Sequence, residues 1–248
     1  MSTIKIALDS APVINQNMEF NIQTMIDSVE KASGQADVIL FGESVLQGFD
    51  SLCWTYESDR RMAVATTDVP IQRMCEAARE NRIAVSFGFI ERGERALYSS
   101  QIFIGADGKI VNVFHRVSVG WKESTQTDDR YCEGERFEKF YYGGKSFAIG
   151  LCGDLWTEGK PEEIKALRAD VVLWPVWCDY RADEWNTSIK YEYAEQAALC
   201  GSCVLLVNPF CADPKATNAA AGGAAHFKNG NVVADTPSGN CGVLIVEV

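Results

Sequence analysis

A chain of 248 residues with 47% hydrophobic content can bury a substantial core, as one large domain or two small ones. A formal net charge of −11 argues against nucleic-acid or anionic-membrane partners, since phosphate binding needs clustered Lys and Arg. No apolar run approaches the roughly 18 residues of a membrane span, the start M-S-T-I-K lacks a signal-peptide core, and nine scattered cysteines read as reduced thiols, so a cytoplasmic location is expected.

Residues 4–8 (I-K-I-A-L) alternate like a strand, and residues 15–32 put Met18, Ile22, Met25, Ile26 and Val29 on one helical face. The run D-V-I-L-F (37–41) is of the buried-strand type and ends in Gly42-Glu43-Ser44. A carboxylate at that point stands where α/β proteins place function, at the carboxyl edge of a strand. The competing reading of Glu43 is a helix-capping or surface acid. Residues 69–81 form a second amphipathic helix, with Pro70 in its first turn, and lead into a strand at 83–89. Residues 97–104 and 110–114 make a hairpin around Asp107-Gly108. From Arg116 to Glu135 the chain is polar and aromatic without periodicity, the composition of a loop that covers or builds a site.

A hairpin of 137–142 and 146–151 turns at Gly143-Gly144. Its second strand, S-F-A-I-G-L-C-G-D-L-W (146–156), puts bulky Phe147, Ile149 and Leu151 on one face and small residues on the other. Gly153 can take positive φ, which would leave the Cys152 thiol at the strand tip beside the next backbone N–H, a natural oxyanion donor. A buried packing cysteine is the bland alternative. A short helix begins at Pro161, a buried strand at 169–174 ends in Pro175-Val176-Trp177-Cys178, residues 184–199 are helical, and 204–207 form a strand. The tail from Gly222 makes two strands around Asn229-Gly230.

Two histidines, His115 and His226, give Cys–His or Ser–His–Asp chemistry little to draw on, so a base for Cys152 would be a carboxylate. Cys200-Gly201-Ser202-Cys203 resembles a redox CxxC but ends a helix, the wrong end for acidifying a thiol, and reads as packing. No zinc spacing, P-loop or Rossmann glycine loop is present, so neither metal nor cofactor is implied.

Three segments in order resemble the nitrilase superfamily, the carbon–nitrogen hydrolases. F-G-E-S-V-L-Q-G-F (41–49) is similar to the segment carrying the family's catalytic Glu, L-C-G-D-L-W (151–156) to that of its nucleophile, and D-G-K-I-V-N-V-F-H-R-V-S (107–118) to that of its catalytic Lys. N-P-F (208–210) and G-G-A-A-H-F-K-N-G (222–230) match later parts of the pattern. The resemblance covers essentially the whole chain and implies an α/β fold, a four-layer αββα sandwich in one domain over 1–248. It implies a Glu–Lys–Cys triad with Glu43 as base and Cys152 as nucleophile. The family's lysine position is Arg116, which supplies charge but cannot shuttle a proton; Lys122, six residues on, is the other candidate cation. Glu123 would then be the second, substrate-positioning glutamate, with Gly153 and Trp177 also at the substrate. The loops at Trp54, Trp121, Trp156 and Trp177 would surround the mouth. The implied activity is thiol-dependent hydrolysis of a small linear or ω-amide rather than a nitrile, by a homodimer. Two rival readings stay open: a non-catalytic binding or regulatory homologue in which Arg116 marks a lost triad, and a thiol-redox protein using Cys200 and Cys203.

Overall fold

The computed structural model describes residues 3–248. Fourteen strands are present among the described residues, β–α steps at the start and middle of the chain enclosing runs of consecutive strands. The first sheet has the order β14 (Val243–Glu247), β1 (Lys5–Asp9), β3 (Val38–Phe41), β4 (Ala84–Arg92), β5 (Leu97–Ile104), β6 (Ile110–His115). The second runs β13 (Asn231–Thr236), β12 (Ala224–Lys228), β10 (Cys203–Val207), β9 (Val171–Pro175), β8 (Lys145–Ile149), β7 (Lys139–Tyr142), and β2 (Pro12–Val13) pairs with β11 (Phe210–Cys211) beside them. Both large sheets have a parallel centre, β1–β3–β4 and β8–β9–β10, with antiparallel rims.

Alternation along the strands explains the layering. On β1, Ile6 and Leu8 face the core between the sheets, while Ala7 faces the helices α1 (Met18–Ala32) and α3 (Val69–Asn81). The sheets are pinned together by Phe103 of β5, whose ring centroid lies 5.0 Å from Phe140 and 5.9 Å from Phe147. On the far side, Tyr193, Ala194, Ala197 and Cys200 of α6 (Lys190–Cys200) and Ile164 of α4 (Lys160–Ala166) cover the second sheet. The result is the αββα sandwich that the family resemblance implies.

Most elements read from the sequence are present, and three features differ. The helix α2 (Tyr56–Met62) has the sequence Y-E-S-D-R-R-M, too polar to show an apolar face. The last helix begins at Ala182 as α5 (Ala182–Glu184) and passes through a π turn at Trp185–Ile189 before α6. The tail holds a third strand, β14, which pairs antiparallel with β1 from Lys5↔Glu247 to Asp9↔Val243. Residues 243–247, V-L-I-V-E, have the apolar, β-branched composition of a strand but bury only Val246, as suits an edge strand.

Candidate active site

The parallel centres align the carboxyl ends of several strands on one edge. β6 is antiparallel to β5 and β5 to β4, so β6 points the same way as β3 and β4. The segments leaving β3, β6, β8 and β9 therefore carry Glu43, Arg116, Cys152 and Cys178 to one place, as expected for an α/β sheet.

Glu43 leaves β3 into a backbone clamp. Its N–H donates to the Val176 carbonyl at 3.2 Å, and the Gly88 N–H donates to the Gly42 carbonyl at 3.1 Å. Gly88 has to be glycine, because a Cβ there would lie 2.4 Å from the Ser44 nitrogen, a backbone atom that cannot give way. The Glu43 carboxylate is fully buried. Its Oε1 accepts from Arg116 Nη1 at 2.8 Å and from Ser99 Oγ at 3.1 Å, whereas Oε2 is buried without a partner.

Arg116 follows β6 and is 96% buried as judged by its 4% side-chain exposure. Its Nε donates to Ser118 Oγ at 2.9 Å, which with the Glu43 bond fixes the guanidinium plane. Burial works against its charge, but Glu43, Cys152 and Asp154 outweigh that and hold the guanidinium above its ordinary value. Asp154 ties this loop to the Cys152 segment: Oδ1 accepts from the Val117 and Ser118 N–H groups at 3.0 and 2.8 Å, and Oδ2 from the Leu151 N–H at 2.9 Å. Burial pushes the Asp154 carboxyl up to about 6, with the Arg116 charge and hydrogen bonds from Ser118 and Leu151 opposing it.

Cys152 starts a short 3-10 turn, Cys152–Trp156. The sequence reading gave the positive φ to Gly153; the structure gives it to Cys152 itself, at φ 48°, and Gly153 lies outside the left-handed region. Gly153 is required for another reason: a Cβ on it would stand 2.5 Å from Arg116 Nη2. The third nitrogen of the guanidinium thus packs against the backbone that follows the thiol. Cys152 Sγ donates to the Trp177 carbonyl at 3.8 Å, and Trp174 Nε1 donates to the Cys152 carbonyl at 2.9 Å. The thiol is held well above its ordinary value by a hydrogen bond with Cys178, by burial and by the Glu43 charge, with Arg116 pulling the other way.

The structure brings Glu43, Arg116, Cys152 and Gly153 together. Lys122 and Glu123 are engaged elsewhere. The Lys122 ammonium pairs with Glu133 at 2.7 Å and donates to the Tyr131 carbonyl, and Glu123 lies exposed, accepting from Thr125. Trp177 reaches the site through its carbonyl, because its ring stacks on Phe49 and its Nε1 donates to Asn218 O. Trp121 is buried against Tyr131, while Trp156 is 46% exposed and meets Tyr193 edge-on. His115 pairs with Glu91 and stacks on Tyr98; His226 sits in β12 beside Cys203. Cys200 donates to Gln196 O, so the CxxC thiols have separate partners, and burial raises them to about 12 and about 11. Three participants went unread in the sequence: Ser99, Asp154 and Cys178. Asp154 had a signal, since it follows Cys152 by two residues; the other two are brought in only by the fold.

Among the described residues no helix is long and apolar enough to cross a membrane, and no cluster of three or more His, Cys, Asp or Glu could hold a metal ion. Comparison with known proteins places these features in a family. An arylacetonitrilase of Aspergillus kawachii is 28% identical over 138 residues, 52% of this chain and 42% of that protein. A glutamine-dependent NAD(+) synthetase of Acinetobacter baylyi is 25% identical over 177 residues, 70% of this chain and 31% of that protein. The chain spans less than half the length of these curated relatives. A mutant of the Nesterenkonia AN1 amidase of the nitrilase superfamily shares the fold, with a TM-score of 0.78 at 17% identity over 99% of this chain and 90% of that one. The Carbon-nitrogen hydrolase family pattern matches residues 5–248, and the chain belongs to that family.

Proposed function

We propose that this chain hydrolyses the carbon–nitrogen bond of a small amide through a thioester on Cys152, with Glu43 as proton shuttle, Arg116 as the cation, and residues 1–248 acting as one domain. The observation that carries the reading is the divided Glu43 carboxylate: one oxygen is held by Arg116 and Ser99, and the other is buried with no partner, a ready acceptor for a thiol proton. Glu43 and Arg116 neutralise each other, so the thiol waits protonated in the resting site.

As Cys152 Sγ attacks the amide carbon, Glu43 Oε2 takes the thiol proton. Arg116 Nη2 and the N–H after Cys152 stabilise the oxyanion that develops. The new carboxylic acid on Glu43 passes its proton to the leaving nitrogen, the C–N bond breaks, and ammonia or an amine departs. Glu43 then takes a proton from water, the hydroxide adds to the thioester, and collapse releases the acid and restores the thiol. Arginine is confined to the electrostatic part because its charge is permanent.

An amide is favoured by the Nesterenkonia amidase, of which one form was solved with acrylamide and another after Michael addition of acrylamide at the active site cysteine. The arylacetonitrilase relative and a cyanide hydratase of Gibberella zeae, 30% identical over 189 residues, make nitriles the second class to try. A cytoplasmic homodimer with a small-molecule substrate completes the reading.

The test is ammonia release from a panel of short aliphatic amides and nitriles, with hydroxylamine added to divert a thioester to the hydroxamate. Release from amides should disappear in Cys152→Ala and Glu43→Gln. No turnover, together with a Cys152 that alkylates like a free thiol whether or not Glu43 is present, would leave a non-catalytic binding protein on the same fold.

A further inference from the structure

The site holds a second sulfur that the hydrolytic reading does not use. Cys178 follows β9 as Cys152 follows β8, and these strands are parallel neighbours, with Ile149 beside Leu173. The Cys178 backbone is clamped by one side chain, since Asn208 Oδ1 accepts from its N–H at 2.9 Å and Asn208 Nδ2 donates to its carbonyl at 2.8 Å. Its sulfur is 3.2 Å from the Tyr193 hydroxyl. Tyr193 is itself immobilised by Trp174 and Trp185, with centroids 5.0 and 5.1 Å away. Cys152 donates to the carbonyl of Trp177, the residue before Cys178, so the backbone that carries the second sulfur lies directly against the first. Both residues are only partly buried. Cys200 and Cys203, by contrast, are turned to Gln196 and His226.

We propose that Cys152 and Cys178 form a paired-thiol modification site, in which a small peroxide converts the nucleophile to a sulfenic acid and Cys178 resolves it to a reversible disulfide. The inference rests on Cys152 being the reactive thiol of the proposed hydrolase. In the first step Glu43 takes the Cys152 proton as the sulfur attacks one peroxide oxygen; an S–O bond forms, the O–O bond breaks, and the departing oxygen takes that proton and leaves as water or alcohol. In the second, Cys178 sulfur attacks the Cys152 sulfur; an S–S bond forms, the S–O bond breaks, and the hydroxyl leaves as water with the Cys178 proton. Two thiols lose two electrons and two protons in total, and the peroxide is the electron acceptor. A dithiol reductant reverses the bridge by thiol–disulfide exchange. The fixed position of Cys178 makes closure faster than a second oxidation of Cys152, so the nucleophile is kept off the irreversible branch of sulfur oxidation.

The purified full chain is treated with hydrogen peroxide at neutral pH and read by intact mass, by non-reducing peptide mapping and by iodoacetamide labelling of Cys152. Wild type should lose about 2 Da, show a cross-linked peptide joining Cys152 to Cys178, and lose labelling that dithiothreitol restores. Cys178→Ala should gain about 32 Da at Cys152 as the sulfinic acid, and dithiothreitol should restore nothing. Cys178→Ser, which keeps a small polar group near Tyr193, should behave the same way and covers the case in which the alanine variant does not fold. If iodoacetamide labels Cys152 in untreated protein, but a separate peroxide-treated sample of wild type gains oxygen there without a bridge, or bridges to another cysteine, the pair is refuted and the hydrolase reading stands. A Cys152 that resists both iodoacetamide and peroxide refutes the reactive-thiol reading and the pair with it.

Discussion

Removing Arg116 should expose how much of this site is held by one desolvated ion pair. The Arg116–Glu43 contact is 2.8 Å, with side-chain exposures of 4% and 0%. At an effective dielectric constant of about 20, such a contact is worth about 6 kcal/mol in gross attraction, and much of that is offset by the cost of taking two charges out of water. Arg116→Ala removes the attraction and leaves the Glu43 carboxylate buried with only Ser99 as a donor. The expected loss is about 3–5 kcal/mol, a large part of the roughly 5–15 kcal/mol of a typical domain. Arg73–Glu19 is the control: its side chains are 31% and 73% exposed, and its removal should cost less than about 1 kcal/mol. The double variant Glu43→Gln with Arg116→Met leaves no buried charge and should recover most of the loss. Arg116→Lys keeps the charge but forfeits the Ser118 bond, so it should fall between alanine and wild type. The assay is urea denaturation followed by tryptophan fluorescence, alongside the Cys152 alkylation rate against pH. If Arg116→Ala costs no more than the surface control and leaves the Cys152 rate profile unchanged, the pair is neutralised by water and Arg116 is not the cation of the site.

Gly153→Ala puts a Cβ 2.5 Å from Arg116 Nη2, so it should slow Cys152 alkylation at least as much as Arg116→Lys while costing about 1–3 kcal/mol by overpacking; an unchanged rate would mean that Nη2 has no part in the site. Burial pushes the Asp9 carboxyl from 3.8 up to about 6, against a hydrogen bond from Ser28 and the charge of Lys31. A folded-state value above the unfolded one stabilises the fold fully below 3.8, and that contribution is lost as pH rises through about 6. Asp9→Asn, neutral throughout, should therefore be more stable than wild type at neutral pH by up to about 3 kcal/mol and equal to it near pH 3.5; urea midpoints that differ equally at both pH values would contradict this. Lys122→Ala breaks the Glu133 pair and should leave Cys152 alkylation as in wild type, whereas a collapse of that rate would move the catalytic cation to Lys122.

Some of this protein is written locally. The helix over residues 69–81 and the hairpin around Asp107-Gly108 follow from short-range periodicity and turn chemistry, and both stand in the structure as α3 and as β5 and β6. The three motif segments likewise carried Glu43, Arg116 and Cys152 as candidates, because each sits at a strand end whose position the chain order already implies. What the sequence could not contain is pairing across distance. The run V-L-I-V-E of β14 has strand composition, but its antiparallel pairing with β1, at the other end of the chain, is set only by the sheet. Arg116 and Glu43 are 73 residues apart, and only the packing of β6 in register with β3 and β4 decides that Arg116 takes the carboxylate while Lys122 turns to Glu133. Cys178 meets Cys152 for the same reason: β8 and β9 run parallel, so whatever leaves their carboxyl ends must share one space. Local chemistry determined which residues could react; the sandwich decided which of them meet, because hydrogen-bonded strand register sets distances that no spacing along the chain records.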